Sequence, residues 1–138
     1  MDREVIEQKL ESLRRCLIRV GEKCPKAPET LAADPDAQDI VALNLTRAIQ
    51  ICVDIGAHII AGKEIPLPET MGGTFDTLAD LGYITPAQAA RLKSAVGFRN
   101  IAVHNYQTID WYIVHAIVTG NLSDFSDFAK AVVEKISV

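Results

Sequence analysis

Apolar residues recur at helical spacing along most of the chain, with charged residues filling the positions between them. Near the N-terminus, intervals of three and four residues predict an amphipathic helix over residues 2 to about 23. No window alternates polar and apolar residues cleanly enough to predict a strand. The pattern therefore predicts an all-α fold, an antiparallel helical bundle of five to six helices.

Prolines interrupt this pattern and separate the first helix from a long central one. Three of them fall within residues 25–35, where a surface loop is predicted. Asp34 is a predicted N-cap with Pro35 in the first turn, and apolar residues then continue to Ile60, with Gly62 as the stop. This element is predicted to be the longest helix of the bundle.

The C-terminal half contains further start and stop signals. Thr74 is predicted to cap a short helix that runs through Leu81. Thr85, followed by a proline, predicts the start of another helix that leads into a polar segment at about residue 99. Residues 109–136 form the last helical stretch, which the Gly120 and Asn121 pair is expected to kink or split.

Length and charge narrow the function classes. A chain of 138 residues is long enough to bury a core without metal or disulfide support, and we expect a single domain over residues 1–138. The net charge of -4 argues against a broad basic surface for gripping nucleic acid. Any contact with RNA must therefore be local.

Cysteine usage and hydropathy indicate a protein of the cytoplasm. The three cysteines show no CxxC spacing, so reduced thiols are expected rather than a disulfide framework or a zinc site. The N-terminus lacks the apolar core of a signal peptide. Residues 40–60 are apolar-rich but are interrupted by polar side chains, so a buried helix is predicted there and not a membrane span. The interrupting residues are Asn44, Arg47, Gln50, Asp54 and His58.

Residues 99–106 hold a concentration of polar side chains at the end of an otherwise apolar helix. The guanidinium of Arg99 can pair with a phosphate and stabilise charge on it, and a histidine such as His104 can exchange a proton near neutral pH. These are two requirements for cleaving RNA through attack by its own 2'-hydroxyl, a route without a metal ion. The alternative is an ion-pair or hydrogen-bond network that holds the bundle end together.

Helical geometry complicates a site within one chain. Residues five apart on a regular helix lie about 140° apart around the axis, so Arg99 and His104 would not share a face. Either the helix frays between them, or two chains cooperate across a two-fold axis. We expect both, with residues 106–108 as the helix end.

The string Arg99-x4-His104-x-Tyr106 resembles the motif of HepT-like toxins in the HEPN superfamily. The helix order and the chain length agree with that family, so the resemblance covers most of the chain. Stretches similar to the family's motif entry and central helix are residues 96–104, 41–45 and 52–59.

This resemblance implies the toxin of a type VII toxin–antitoxin pair, a homodimeric, metal-independent endoribonuclease without a cofactor. Arg99 and His104 would be catalytic, with Asn100 as the polar residue that follows the arginine. The partners implied are an RNA substrate, either tRNA or mRNA, and an MntA-like nucleotidyltransferase antitoxin, with no membrane. That antitoxin would transfer AMP from ATP to Tyr106 and silence the toxin through added charge and bulk.

A stripe at 3-4-3-4 spacing follows the central helix and is the candidate support for this site. Asp54 could orient Arg99 or His104, and Arg47 could attract phosphate. The alternative is a set of polar residues buried in a dimer seam. Arg91 and Lys93 could extend the positive field of the motif. The members of the stripe are Asn44, Arg47, Ile51, Asp54 and His58.

Two other function classes remain open at this stage. The chain could be a non-catalytic partner that presents Tyr106 to a nucleotidyltransferase, or a purely structural helical dimer in which Tyr106 is a helix-end aromatic. Trp111 and Tyr112 are expected to be packing residues, and His58 and His115 structural or surface histidines rather than metal ligands.

Overall fold

Seven α-helices and no strand make up residues 2–136, the part of the chain that the computed structural model describes. The count exceeds the predicted five to six, but the all-α prediction is confirmed. The helices are α1 (Arg3–Lys23), α2 (Pro28–Ala33), α3 (Pro35–Ala61), α4 (Met71–Asp80), α5 (Pro86–His104), α6 (Trp111–Ala116) and α7 (Ser123–Ile136).

Local capping explains where the main helices begin. The Asp34 carboxylate accepts hydrogen bonds from the first free backbone amides of α3, as predicted. Asp2 does the same for α1. At α5, the Thr85 hydroxyl accepts from the Gln88 amide while the Gln88 side chain accepts from the Thr85 amide, a complete capping box.

Helix α3 is the centre of the bundle and packs against α1, α2, α4, α5 and α7. Within residues 2–136 it is the one helix with the length and mean hydropathy, 1.4, of a membrane span, but 56% of that stretch is buried inside the bundle. The predicted buried helix is confirmed. All seven helices contribute to one continuous core around it.

Two predicted boundaries are wrong. The loop predicted over residues 25–35 contains α2, whose first residue is Pro28 and whose Leu31 is fully buried. Proline is well tolerated in the first helical turn, so it starts this short helix instead of preventing it. The predicted cap Thr74 lies buried within α4, which begins earlier because Thr70 caps it through the Gly73 amide.

The predicted interruption at Gly120 and Asn121 is confirmed. The backbone widens into a π-helical turn, Ile117–Asn121, which separates α6 from α7. In that turn the Thr119 hydroxyl donates to the His115 carbonyl at 2.9 Å, a local bond that competes with regular helical pairing. The last helical stretch is therefore two helices.

A close approach of α3 and α4 depends on Gly56. A Cβ at this position would lie 2.5 Å from Cγ2 of Thr74 and 3.0 Å from a methyl carbon of Leu78. We expect Gly56→Ala to lower the free energy of unfolding by about 1–3 kcal/mol through overpacking. Chemical denaturation measures the change.

Gly21 in α1 is the matched control, because nothing lies within 4 Å of a Cβ built there. Gly21→Ala should raise the unfolding free energy by a few tenths to about 1 kcal/mol, since alanine is the better helix former. Equal stabilities of Gly56→Ala and the parent would contradict the proposed close contact.

Candidate active site at the end of α5

The polar segment singled out in the sequence is an exposed helix end. Helix α5 stays regular through His104 and stops at Asn105, whose φ of -151° and ψ of 57° leave the helical region. A single 3₁₀ turn, Tyr106–Thr108, follows as the predicted helix end. Of residues 100–108 all but Ala102 are exposed, so the segment is open to a large ligand or partner.

Arg99 lies at the inner edge of this segment and is partly buried. Its Nη1 donates to the Asn100 side-chain oxygen at 3.2 Å, which ties the two predicted residues together. Its Nε is buried, and it is the one such side-chain nitrogen or oxygen in residues 2–136 without a hydrogen-bond partner. A buried donor left unpaired is costly, and an acceptor that reached this nitrogen would relieve that cost.

His104 lies at the last position of α5 and is exposed. Because the helix is regular between Arg99 and His104, their side chains leave it about 140° apart. The predicted fraying between them is wrong, since both residues have helical backbone. The two side chains therefore leave the helix of one chain in different directions.

The Tyr106 side chain is held from two sides. Its hydroxyl donates to the Asp39 carboxylate at 2.5 Å, and its ring packs edge-to-face on Trp111 with centroids 5.7 Å apart. Burial raises the pKa of the Tyr106 phenol, and the hydrogen bond to Asp39 and its negative charge raise it further. The hydroxyl is therefore neutral and oriented at physiological pH.

Tyr106 and Asp39 line an open groove of about 380 Å3 between α3 and the end of α5. Its apolar rim includes Leu43 and Val103, each 50% exposed. We call this the tyrosine groove. Sequence reasoning missed Asp39, because it is 67 residues from Tyr106 and no local spacing links the two.

Within one chain the α3 stripe lies away from the end of α5, and the supporting roles of Asp54 and Arg47 stay predictions. Asp54 accepts a hydrogen bond from Gln50 at 2.9 Å and lies 3.9 Å from the Lys9 ammonium of α1. Arg47 lies in a separate groove between α3 and α1. The 3-4-3-4 spacing does give a shared face, but that face is turned toward α1 and not toward α5.

The cations before the motif are neutralised rather than free. Arg91 pairs with Asp124 at 2.8 Å and Lys93 pairs with Asp76 at 2.9 Å. They do not extend a positive field, contrary to the prediction. The unpaired charge near the motif is therefore concentrated on Arg99.

Of the remaining predictions for aromatic residues and histidines, one is wrong and the others are confirmed. Trp111 is a packing residue, as predicted, but Tyr112 is 53% exposed, so its predicted packing role is wrong. His115 is buried with its Nε2 2.9 Å from the Pro25 carbonyl oxygen, and the His58 ring accepts from the Asp2 amide. Both histidines are structural, as predicted.

An all-α bundle whose fifth helix ends in an exposed Arg99-x4-His104-x-Tyr106 segment has the features of the HEPN class. Residues 6–132 match the family model described as Ribonuclease HepT-like. Because this match covers most of the chain, the protein belongs to the ribonuclease HepT-like family. The resemblance inferred from the sequence is confirmed.

Individual relatives agree with the family match. The chain is 34% identical over 125 residues to the mRNA nuclease HepT of Shewanella oneidensis, with 91% of this chain and 93% of that protein covered. It is similar to the crystallised tri-AMPylated HEPN toxin of Shewanella oneidensis in complex with its MNT antitoxin, with a TM-score of 0.89 and 33% identity over 97% of this chain and 99% of that one.

Two further solved structures extend the comparison. A toxin–antitoxin complex with AMP-PNP contains a chain that superposes with a TM-score of 0.89 at 32% identity, over 95% of this chain and 98% of that one. The cytosolic protein YutE of Bacillus subtilis superposes with a TM-score of 0.84 at 18% identity, over 98% of this chain and 90% of that one, which shows the shared fold alone.

The Tyr106–Asp39 contact predicts a measurable titration. Asp39→Asn removes the carboxylate charge, so the pKa of the Tyr106 phenol should move down toward its ordinary value while the part due to burial stays. Ultraviolet titration of tyrosinate measures this, with Tyr106→Phe subtracted to isolate Tyr106 from the other two tyrosines. Superimposable curves for wild type and Asp39→Asn would contradict the contact.

Proposed function

We propose that this protein is the toxin of a type VII toxin–antitoxin pair, an endoribonuclease that cleaves RNA in the cytoplasm without a metal ion. The observation that carries the proposal is the unpartnered Arg99 guanidinium nitrogen, beside an exposed helix end that carries His104. The nuclease and toxin names of the relatives support the same activity.

The proposed chemistry uses a phosphodiester and two side chains. The RNA 2'-oxygen forms a bond to phosphorus, the bond from phosphorus to the 5'-oxygen breaks, and a 2',3'-cyclic phosphate results. His104 removes the proton of the 2'-hydroxyl or returns one to the leaving 5'-oxygen. Arg99 stabilises the charge that develops on the phosphate oxygens, with Asn100 orienting the guanidinium through their hydrogen bond.

The proposed functional unit is a homodimer, because a single α5 directs Arg99 and His104 about 140° apart. A two-fold axis beside the tyrosine groove would bring the α5 ends of two copies to one cleft, where Arg99 of one copy could act with His104 of the other. The half-exposed Leu43 and Val103 supply apolar surface for such a contact.

Control is proposed to act on Tyr106. A nucleotidyltransferase antitoxin would join the phenolic oxygen to the α-phosphate of ATP, with release of pyrophosphate and loss of the phenol proton. The hydroxyl would give up its hydrogen bond to Asp39, and the new phosphodiester would stand two residues from His104. The tri-AMPylated state of the Shewanella oneidensis toxin supports this form of control.

A second candidate is a non-catalytic partner that presents Tyr106 to the nucleotidyltransferase. The net charge of -4 and the divergence of Arg99 and His104 on one helix favour it. The two candidates share the antitoxin and differ in whether the unmodified protein cleaves RNA.

Replacement of the proposed catalytic pair tests the activity. Arg99→Ala and His104→Ala should each lower RNA cleavage by at least about 100-fold, because each removes a group that acts in the transition state. His58→Ala is the matched control, because this histidine lies in the last turn of α3 and outside the motif, and it should retain cleavage. Gel analysis of RNA with AMP-free protein measures the rates.

Arg99→Lys is a second test. It keeps the positive charge but loses the planar guanidinium, so its cleavage rate should lie between those of Arg99→Ala and the wild type. A folded, dimeric, unmodified wild type that cuts no RNA would overturn the endoribonuclease proposal and leave the presenting partner.

The modification is tested by intact mass. Co-expression with an MntA-like nucleotidyltransferase should add one or more AMP increments to the wild type, none to Tyr106→Phe, and the full set to Tyr112→Phe. Tyr112 is the matched control because it is the more exposed tyrosine on the adjacent helix. An adduct that persists on Tyr106→Phe would reject Tyr106 as the acceptor.

A further inference from the structure

A second open groove, with a volume of about 400 Å3, lies between α3 and α1. Arg15 and Arg19 of α1 and Arg47 of α3 line it, together with the buried Cys16. No carboxylate belongs to its lining in the described part of the chain. We call it the arginine groove.

The charges in this groove are largely uncompensated. Within residues 2–136, Arg19 and Arg47 form no ion pair. Arg15 lies 3.4 Å from Glu11, but that carboxylate accepts two shorter hydrogen bonds, of 2.9 and 2.7 Å, from Arg14. In a chain with 18 acidic and 14 basic residues, a groove lined by three guanidiniums, two of them without an ion pair in residues 2–136, favours binding of an anion.

The arginine groove borders the same edge of α3 as the tyrosine groove. Thr46 lines one groove and Arg47 the other, and consecutive residues point about 100° apart around a helix. Asp39 and Arg47 are eight residues apart, about 12 Å along the axis. The two grooves are thus close neighbours that flank the exposed Leu43.

We propose that the arginine groove binds RNA phosphates that flank the cleaved bond. This binding site is separate from Arg99 and His104. Guanidinium groups match the geometry of phosphate oxygens and are weakly hydrated, so they suit this ligand. This site rests on the proposed function and gives an acidic protein a local means of holding RNA.

The salt dependence of RNA binding tests the site. The parent is full-length His104→Ala, and the probe is a fluorescent single-stranded RNA of mixed sequence. Adding Arg19→Gln and Arg47→Gln should weaken affinity by about 10-fold and lower the slope of log K against log salt by about 1.4, because two phosphate contacts are lost at about 0.7 each.

The matched control removes two exposed cations elsewhere, through Lys26→Gln and Lys130→Gln in the same parent. It should bind RNA within about twofold of the parent and with the same slope. Parent-like affinity and slope in the arginine pair would overturn the site. Loss of affinity together with loss of the dimer, measured by light scattering, would make the groove an interface between copies and would also overturn it.

The outcomes separate this site from the proposed function. If the wild type cleaves RNA and the variant with Arg19→Gln and Arg47→Gln binds RNA like the parent, the proposed phosphate site is overturned and the proposed function stands. If wild type cleaves nothing while the arginine pair still weakens RNA binding, the function fails and the groove stands. If the parent binds no RNA, the proposed phosphate site is overturned, and cleavage by the wild type alone decides the function.

Discussion

The burial of α3 is the constraint on which the rest of the molecule depends. This helix is covered by α1 on one side and by α4 and α5 on the others, and Gly56 lets α4 approach within contact of its backbone. What remains exposed is one edge, marked by Leu43, with a groove on either side. The tyrosine groove and the arginine groove both lie along that edge because it is the side of α3 that no other helix covers.

The end of α5 combines two requirements that a single helix cannot meet. Its regularity through His104 gives rigid positions for Arg99 and His104, which is what a preorganised site needs. The same regularity sets their side chains about 140° apart. In the proposed homodimer a second copy would resolve the conflict without distorting either helix, since symmetry would supply the missing side chain. Arg99 also has a buried Nε without a hydrogen-bond partner in the single chain.

Sequence reasoning succeeded where the physical determinants are local. Side-chain caps at Asp34 and Thr85 and the apolar spacing identified α3 and α5, and the family motif identified residues 99–106. It failed for α2 because a six-residue helix with proline at its start has too little periodicity to detect. It also failed for the direction of the α3 stripe, since spacing says which residues share a face but not which helix covers that face. Contacts between distant residues, such as Tyr106 with Asp39, lie beyond any local pattern.

The Tyr106–Asp39 contact also clarifies how modification of one residue could silence the whole cleft. In the unmodified chain the phenol proton is shared with a carboxylate, and the ring is pinned on Trp111 at the edge of the cleft. A phosphodiester on the same oxygen cannot keep that bond, because it has no proton to donate and would face a like charge. The adduct would therefore swing away from Asp39 and carry its negative charge into the region around the proposed site. As a tethered anion it would compete with RNA phosphate at a high effective concentration, so inhibition needs no change in the helical fold.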